Sequence, residues 1–393
     1  MSSPKNIVVI SPFFFPELIS TGKFNTDMVL GLRDKGHHVK VLCFHPFYPK
    51  WKTEKSKEEL DNIELIRGGK NVFYTQKNIL RRLILEISFT FFVLRKIFKH
   101  QKNTDIIIPV FPPSFAFYAV LPFLNKQIQK VGIVHDLQEV YSKNKTGFLY
   151  KFIGKIIYHV EKKGFQSCDK LIFLSEEMKN VAKESYQLTT SKLRVQFPFV
   201  TINTLKPQTK NALKDLLPDK TKHIVYSGAL GEKQNPKELY TIFNYCSEKL
   251  PELKFHIFSQ GARFEELKRN NMNDKIMFHD LVAKENIEEL YQRSFIQFVP
   301  QAIGTSKGSL PSKLPNLLAS KCNIICITDA ESDIDLLFKK HHLKKVVTSW
   351  NKELILNSIN EFLNEKIADY SKQNKISNDL FHINSMINSI LEN

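Results

Sequence analysis

Three stretches of this sequence carry groups suited to chemistry. His135-Asp136 follows directly on the apolar run Val131–Val134. A histidine at the C-terminal end of a strand can give, take or hold a proton near neutral pH. On its own a His-Asp pair is a weak signal, because most such histidines are structural. The second stretch is Val225-Tyr226-Ser227-Gly228-Ala229-Leu230-Gly231-Glu232-Lys233, a strand that runs into a glycine turn and then a lysine. Glycines let backbone approach a phosphate, and a lysine supplies a compact positive charge, so Gly228, Gly231 and Lys233 suit a diphosphate. The third is the loop Ser11–Lys23 between a first strand and a first helix, with Glu17 and Gly22 inside it. A strand-to-helix turn leaves backbone amides free for an anionic or hydroxylated ligand. Only one glycine stands in that loop, which argues against a dinucleotide fingerprint and an oxidoreductase.

The elements that must position these groups alternate short apolar strands with helical stretches, the pattern of a parallel α/β sheet. Strands are expected at Ile7–Ile10, Val39–Phe44, Ile63–Ile66, Ile106–Val110, Val131–Val134 and Leu171–Leu174, with helices at Lys23–Lys35 and Tyr150–Cys168 among them. A second series follows at His223–Ser227, Lys254–Phe258, Ile276–Phe278, Phe295–Val299 and Asn323–Ile327. The proline-bearing stretch 197–210 reads as the linker. The expected organisation is therefore two Rossmann-like domains, 1–200 and 201–377, with ligands at the C-terminal ends of the strands. Facing each other, two such domains would enclose the site in a cleft. Residues 378–393 form one further helix, with Leu380, Ile383, Ile387, Ile390 and Leu391 at helical spacing, free to pack on either domain.

Composition narrows the class. A chain of 393 residues with 42% hydrophobic and 25% charged residues suits two globular domains. The run Ile7–Ile10 is too short for the core of a secretory signal, so the sequon Asn144-Lys145-Thr146 carries no weight. Cys43, Cys168, Cys246, Cys322 and Cys326 form no CxxC pair and read as buried reduced thiols of a cytoplasmic protein. No metal is expected: Asp333-Ile334-Asp335 has the form of a metal-nucleotide motif, but it opens a late helical stretch and reads as a solvated acidic helix start. Of the net charge of +17, residues 1–200 carry 31 Lys/Arg against 17 Asp/Glu, which is +14. A one-sided basic surface predicts a polyanionic partner, either nucleic acid or an anionic membrane face. No aromatic-basic platform or nucleic-acid module is evident, so nucleic acid is not expected. The segment Ile79–Phe98 has the length of a membrane span, but Arg81, Arg82, Glu86, Arg95 and Lys96 interrupt it. Two other readings stay open, a helix packed on the first sheet and a basic amphipathic helix lying in a membrane interface.

Taken in order, these segments resemble glycosyltransferase family 4. Members commonly open with a strand, a Pro-Glu-x-x-Gly-type loop and a helix ending in Arg-Gly-His-x-Val; here Pro16, Glu17, Gly22 and Lys35-Gly36-His37-His38-Val39 correspond. The stretch Phe44–Trp51 is similar to a Pro-Tyr-Tyr-Pro segment of the colanic-acid and O-antigen branch. His135 falls where the family places a histidine at the reaction centre. The Gly228–Lys233 segment corresponds to its diphosphate-holding turn. Val299-Pro300-Gln301, followed by Gly308-Ser-Leu-Pro-Ser-Lys313-Leu-Pro-Asn316-Leu-Leu-Ala-Ser320, resembles the Leu-Pro-Ser-Lys-Leu-x-Asn-x-Leu-Ala-Ser run of that branch. The Glu-x7-Glu pair of most members is Gly308 and Asn316 here, and the arginine after the first glycine is Ala229.

The resemblance implies a GT-B fold and a retaining, metal-independent transferase of the hexosyl or N-acetylhexosaminyl type, acting in surface-polysaccharide synthesis. It would need no cofactor, only a nucleotide-diphosphate sugar as co-substrate. It implies His135 and Lys233 as catalytic residues. Gly228, Gly231, Lys233, Gln301, Lys313 and Asn316 would bind the donor, and Glu17, Gly22 and Asp136 the acceptor. The acceptor expected is a polyprenyl-diphosphate-linked saccharide, with the enzyme held peripherally on the inner face of the cell membrane by its basic half. A catalytically reduced binding subunit supporting a partner transferase is the alternative, motivated by the missing acids. An epimerase of the same two-domain architecture is a weaker rival.

Overall fold

A computed structural model describes residues 3–17, 20–48, 50–75, 78–137, 148–200, 211–306, 310–320, 322–365 and 369–392. The sequon at 144–146, Gly308 and most of the expected linker lie outside the described residues. The chain divides into two compact units, Met1–Phe197 with Ile383–Asn393, and Pro198–His382.

Unit 1 runs β1 (Asn6–Ile10), α1 (Ser20–Asp34), β2 (His38–Phe44), β3 (Ile63–Gly68), α2 (Asn78–His100), β4 (Ile106–Phe111), α3 (Phe115–Val120), β5 (Gln129–Val134), α4 (Phe148–Ser167), β6 (Lys170–Phe173), α5 (Glu176–Tyr186) and β7 (Leu193–Val195). Its strands are parallel, in the order β3-β2-β1-β4-β5-β6-β7. Helices cover both faces of such a sheet, so central strands are apolar throughout rather than alternating. β4, Ile-Ile-Ile-Pro-Val-Phe, is buried at every position.

Unit 2 repeats the plan with β8 (His223–Ser227), α6 (Pro236–Lys249), β9 (Lys254–Phe258), α7 (Ala262–Arg269), β10 (Ile276–His279), α8 (Ile287–Arg293), β11 (Ile296–Pro300), α9 (Leu314–Ala319), β12 (Asn323–Ile327), α10 (Asp333–Lys340), β13 (Val346–Val347), α11 (Lys352–Asn364) and α12 (Ser371–Leu380). Its parallel order is β10-β9-β8-β11-β12-β13. In both sheets the order reverses direction beside the first strand, between β1 and β4 and between β8 and β11. Loops leaving the C-terminal ends of those strands diverge to opposite faces and open a crevice there.

The tail departs from the expected single helix. α12 ends at Leu380, and a separate α13 (Ile383–Leu391) follows the break at Phe381-His382. Phe381 is fully buried, and its carbonyl accepts the Val200 N–H, so the chain is pinned at the break. α12 packs on α9 in unit 2, while α13 packs on α1 in unit 1. That packing needs Gly31: a Cβ there would stand 3.1–3.2 Å from the Ile387 and Ile383 side chains.

Candidate active site

In unit 1 the chemistry gathers at the ends of β1, β4 and β5. The His135 N–H donates to the Phe111 carbonyl at 2.8 Å, tying the residue after β5 to the end of β4. The ring meets Phe24 edge-on at 4.8 Å, and its Nε2 lies 3.4 Å from Oδ1 of the buried Asn25. Asn25 Nδ2 donates to Ser11 Oγ at 2.9 Å and to the Phe13 carbonyl at 3.2 Å. Those two bonds fix the Asn25 amide with its oxygen toward the imidazole, so Nε2 carries the proton and Nδ1 keeps the lone pair. Burial lowers the His135 pKa to about 4, leaving a neutral ring at physiological pH.

The acceptor-loop residues have different surroundings from those expected. Glu17 is 5% exposed, and its two carboxylate oxygens accept the N–H groups of Phe47 (3.1 Å) and Tyr48 (2.7 Å). Burial raises its pKa while those two bonds oppose the shift. Glu17 therefore anchors the 45–48 segment, and its carboxylate is engaged with backbone. Gly22 sits in the first turn of α1, where its carbonyl accepts Thr26 Oγ–H at 2.8 Å. Asp136 is exposed, and its Oδ1 accepts the Leu137 N–H at 3.0 Å.

In unit 2 the corresponding place is the end of β8 beside β11. Gly228 has φ +134°, a conformation open only to glycine without strain. Its N–H donates to the Phe258 carbonyl at 3.0 Å, and its own carbonyl accepts Ser259 Oγ–H at 2.8 Å. Gly231 N–H meets the side-chain oxygen of Gln234 at 3.0 Å. The Lys233 carbonyl accepts the Ala302 N–H at 2.8 Å, joining the β8 loop to the β11 loop. The Lys233 side chain is exposed and has no hydrogen-bond or ion-pair partner among the described residues.

The remaining donor-site residues lie deeper in the unit. Lys313 does not present its charge outward: Nζ donates to the carbonyls of Phe298 (2.7 Å) and Ser227 (3.2 Å) and sits 4.5 Å from the centroid of the Tyr226 ring. Burial lowers its pKa to about 7. It braces the ends of β8 and β11 from within. Gln301 is buried; its Oε1 accepts Thr328 Oγ–H at 2.8 Å, and its carbonyl accepts Trp350 Nε1–H at 3.1 Å. Asn316 is 9% exposed within α9. Asp333 and Asp335 are not solvated but 5% and 2% exposed; Asp335 accepts the Glu331 N–H and pairs with Lys339 at 2.8 Å. Ser332 caps that helix.

Two clusters lay outside the sequence reading. Asp329, just beyond β12, accepts the N–H groups of Gly304 (2.8 Å) and Ser306 (3.2 Å) and the Ser306 hydroxyl, so it clasps the β11 loop. Three histidines span β8, β9 and β10. His223 Nδ1 meets His256 Nε2 at 2.9 Å, and His256 Nδ1 meets His279 Nε2 at 3.0 Å. His223 Nε2 lies 3.0 Å from the Pro218 carbonyl, which can only accept. That end fixes every proton: His279 donates to His256, His256 to His223, and His223 to Pro218. This order holds for neutral rings, the form that burial favours in all three, lowering the His256 pKa to about 2. The nitrogens facing one another are used up, and no group of three or more His, Cys, Asp or Glu among the described residues is placed to hold a metal. The five cysteines are buried free thiols.

Two parallel Rossmann-like sheets in succession, with loops at both strand-order reversals, are the architecture of the GT-B fold. Comparison with known proteins agrees. The model of Glycosyltransferase Family 4 matches residues 21–203, and that of Glycosyl transferases group 1 matches residues 208–379. The chain belongs to glycosyltransferase family 4. It is 26% identical over 358 residues to WcaI of Escherichia coli (strain K12), a protein assigned to colanic acid biosynthesis as a glycosyl transferase, covering 84% of this chain and 85% of WcaI. Among solved structures, WaaG, a glycosyltransferase involved in lipopolysaccharide biosynthesis, superposes with a TM-score of 0.70 at 13% identity, covering 98% of this chain and 100% of WaaG. HepE of Anabaena in complex with UDP gives 0.65 at 11% identity, covering 99% and 98%.

Proposed function

We propose that this glycosyltransferase takes its sugar from a nucleoside-diphosphate donor held on unit 2 and passes it to a lipid-linked saccharide held on unit 1, in the synthesis of a surface polysaccharide. The observation that carries the donor half is Lys233: an exposed, unpartnered cation on a glycine turn at the β8–β11 reversal. A diphosphate there gains the lysine charge and the backbone of the turn, and displacing the Gln234 side chain frees the Gly231 N–H. The relatives named for colanic acid and lipopolysaccharide synthesis, and the neighbour holding UDP, support this reading.

Transfer proceeds with retention: the incoming hydroxyl attacks on the face from which the nucleotide leaves, its proton passing to a donor phosphate oxygen. Lys233 stabilises the leaving diphosphate, and the chain supplies position and charge rather than a nucleophile. His135, neutral and with Nδ1 unprotonated, accepts a hydrogen bond from a sugar hydroxyl rather than acting as a cation. Lys313 and Asp329 hold the two donor loops without touching the donor. The work takes place at a membrane face, where the lipid-linked acceptor resides. The reading tested against this one is a reduced binding subunit, since Asn316 stands where most members carry a carboxylate.

The experiment is a thermal-shift screen of the whole chain with UDP, GDP and ADP, followed by nucleotide-release assays with the matching sugars and a lipid extract. Stabilisation by one nucleotide that falls by about tenfold in affinity in Lys233→Ala is expected. An undiminished rate in that variant sinks the donor assignment. Nucleotide binding with no release under any acceptor favours the binding subunit.

A further inference from the structure

We infer that Arg263 is a second diphosphate ligand of this transferase, held until the donor arrives by Glu232, a carboxylate of the turn that the diphosphate is to occupy. The inference rests on the donor site proposed above.

That site is short of positive charge. A nucleoside-diphosphate sugar carries one negative charge on each of its phosphates, and a further one develops on the diphosphate as the sugar leaves. Lys233 offers a single cation against them. The Lys313 ammonium is engaged with the Phe298 and Ser227 carbonyls. The neighbouring strand supplies another candidate. β9 pairs with β8 in parallel and its last residue, Phe258, lies level with Ser227, so both strands end at the same edge of the sheet. α7 follows β9 and is anchored by Phe264, which is buried in the unit 2 core, while Arg263 just before it is exposed.

From there the guanidinium reaches the β8 turn. Its Nε–H and Nη2–H donate to one oxygen of Glu232 at 3.1 and 2.9 Å, and Nη1–H donates to Glu266 at 2.9 Å. Glu232 stands between Gly231 and Lys233, so an arginine, a free lysine and a glycine amide meet at one turn of chain. That turn covers its own donors with two side-chain oxygens. Glu232 Oε1 takes the arginine, and Gln234 Oε1 takes the Gly231 N–H at 3.0 Å. Each oxygen sits where a phosphate oxygen could bind.

Exchange favours the phosphate. The Arg263 and Glu232 side chains are 49% and 80% exposed, and an ion pair in that setting is weak and screened by salt. Nε–H and Nη2–H now share one carboxylate oxygen, whereas a phosphate offers two, one to each, in the bidentate geometry that suits a planar guanidinium. Glu266 on the other edge keeps the group in place, and the released Glu232 returns to water. A rival reading gives Arg263 a lesser task, to neutralise Glu232 and so spare the diphosphate a repulsive carboxylate. A double substitution separates the two.

The test is calorimetric titration of the full chain with UDP, GDP and ADP and with the parent nucleosides. For the diphosphate that binds, Arg263→Gln is expected to lose about tenfold or more in affinity, and Arg263→Lys to recover only part of it. Glu232→Gln should tighten binding by up to about fivefold. In the Glu232→Gln background, Arg263→Gln should again cost about tenfold. A loss that vanishes there means that Arg263 only screens the carboxylate, and overturns the inference. So does an equal loss of nucleoside and diphosphate binding in Arg263→Gln, because the arginine would then act on the base or on the fold. Lys237→Gln removes an exposed charge from the first turn of α6 and should change affinity about twofold at most. A loss there as large as that of Arg263→Gln would replace the ligand with the general field of the surface. Should Lys233→Ala bind every diphosphate as the wild type does, the proposed donor site itself falls. A defect in Lys233→Ala beside an unaffected Arg263→Gln removes Arg263 alone.

Discussion

The Nε2 of His135 lies 3.4 Å from the Asn25 amide oxygen, and the amide is itself oriented by Ser11 and the Phe13 carbonyl. The end of β5, helix α1 and the end of β1 are thereby joined through the Asn25 amide. Asn25 is a positioning residue: it sets which nitrogen of His135 carries the proton.

Asn25→Ala should lower kcat by about tenfold, the lower end of what a positioned proton-handling group supplies, and leave nucleotide affinity unchanged. Asn25→Asp also accepts a hydrogen bond, but it brings a carboxylate to Nε2 and should raise the His135 pKa from about 4. NMR titration of the ring checks this. The wild-type rate should show no inflection from this histidine between about pH 5 and 8, because the ring is already neutral throughout. Equal loss of kcat and nucleotide binding in Asn25→Ala would mean that it merely loosens the fold.

The histidine chain makes unit 2 sensitive to acid. In the unfolded chain these rings take up protons below about pH 6.5, while in the folded unit burial holds His223, His256 and His279 below that value. Lys254 and Lys268 push in the same direction, and Asp219 and Asp280 oppose it. The unfolded state thus binds more protons, and stability falls as pH drops below about 6.5, by up to about 1.4 kcal/mol per pH unit for each histidine that stays neutral. Urea midpoints measured from pH 8 to 5 should decline accordingly. His256→Leu should flatten that slope while costing about 1–3 kcal/mol at pH 8, since two neighbouring rings lose a partner.

How much of this was legible in sequence divides along physical lines. Central strands such as β4 and β12 announce themselves, because burial on both faces demands unbroken apolar runs. β7 and β13 span three and two residues and give no such run. The glycine turn and the exposed Lys233 were readable because a turn with positive φ at Gly228 constrains residue type locally. The histidine chain was not, because its members lie 33 and 23 residues apart and meet only across strands. Lys313 and Asp335 misled for one reason: a charged side chain in a polar-looking segment reads as exposed, and only tertiary packing shows the carbonyls or lysine that meet it. Asn25 carried a faint signal, a short polar residue amid Phe24, Met28 and Val29 on a buried helix face.

Lys313→Met should weaken nucleotide binding without touching the nucleotide. The methionine fills the space but leaves the Ser227 and Phe298 carbonyls without their donor, so the β8 and β11 loops lose their brace. A loss of about 1–3 kcal/mol in stability is expected, together with a smaller nucleotide-induced thermal shift. The wild type adds a pH signature. The Lys313 pKa, lowered by burial from 10.5 to about 7, makes the unfolded chain bind the extra proton between those values. This residue's contribution to stability therefore rises from about pH 7 to 10.5, and Lys313→Met removes that rise. A stability profile in that range identical for both proteins would refute the buried ammonium.

The C-terminal helix belongs to the first unit although it follows the second in sequence. Met386, Ile387 and Ile390 of α13 are fully buried, and the Lys170 ammonium donates to the Ser389 and Glu392 carbonyls at the helix end. Ending the chain after His382 removes three buried side chains, about 1.5–3 kcal/mol each, from a unit whose margin is about 5–15 kcal/mol. It also bares the face of α1 around Gly31. Unit 1 should then melt at lower temperature or be cut first by protease, while unit 2 keeps its nucleotide-induced stabilisation. Gly31→Leu makes the same point with the chain intact, since the new side chain must push Ile383 and Ile387 off α1. Limited proteolysis of the two variants should release the same unit 2 fragment. Wild-type resistance of unit 1 in both would show that α13 contributes nothing to its stability.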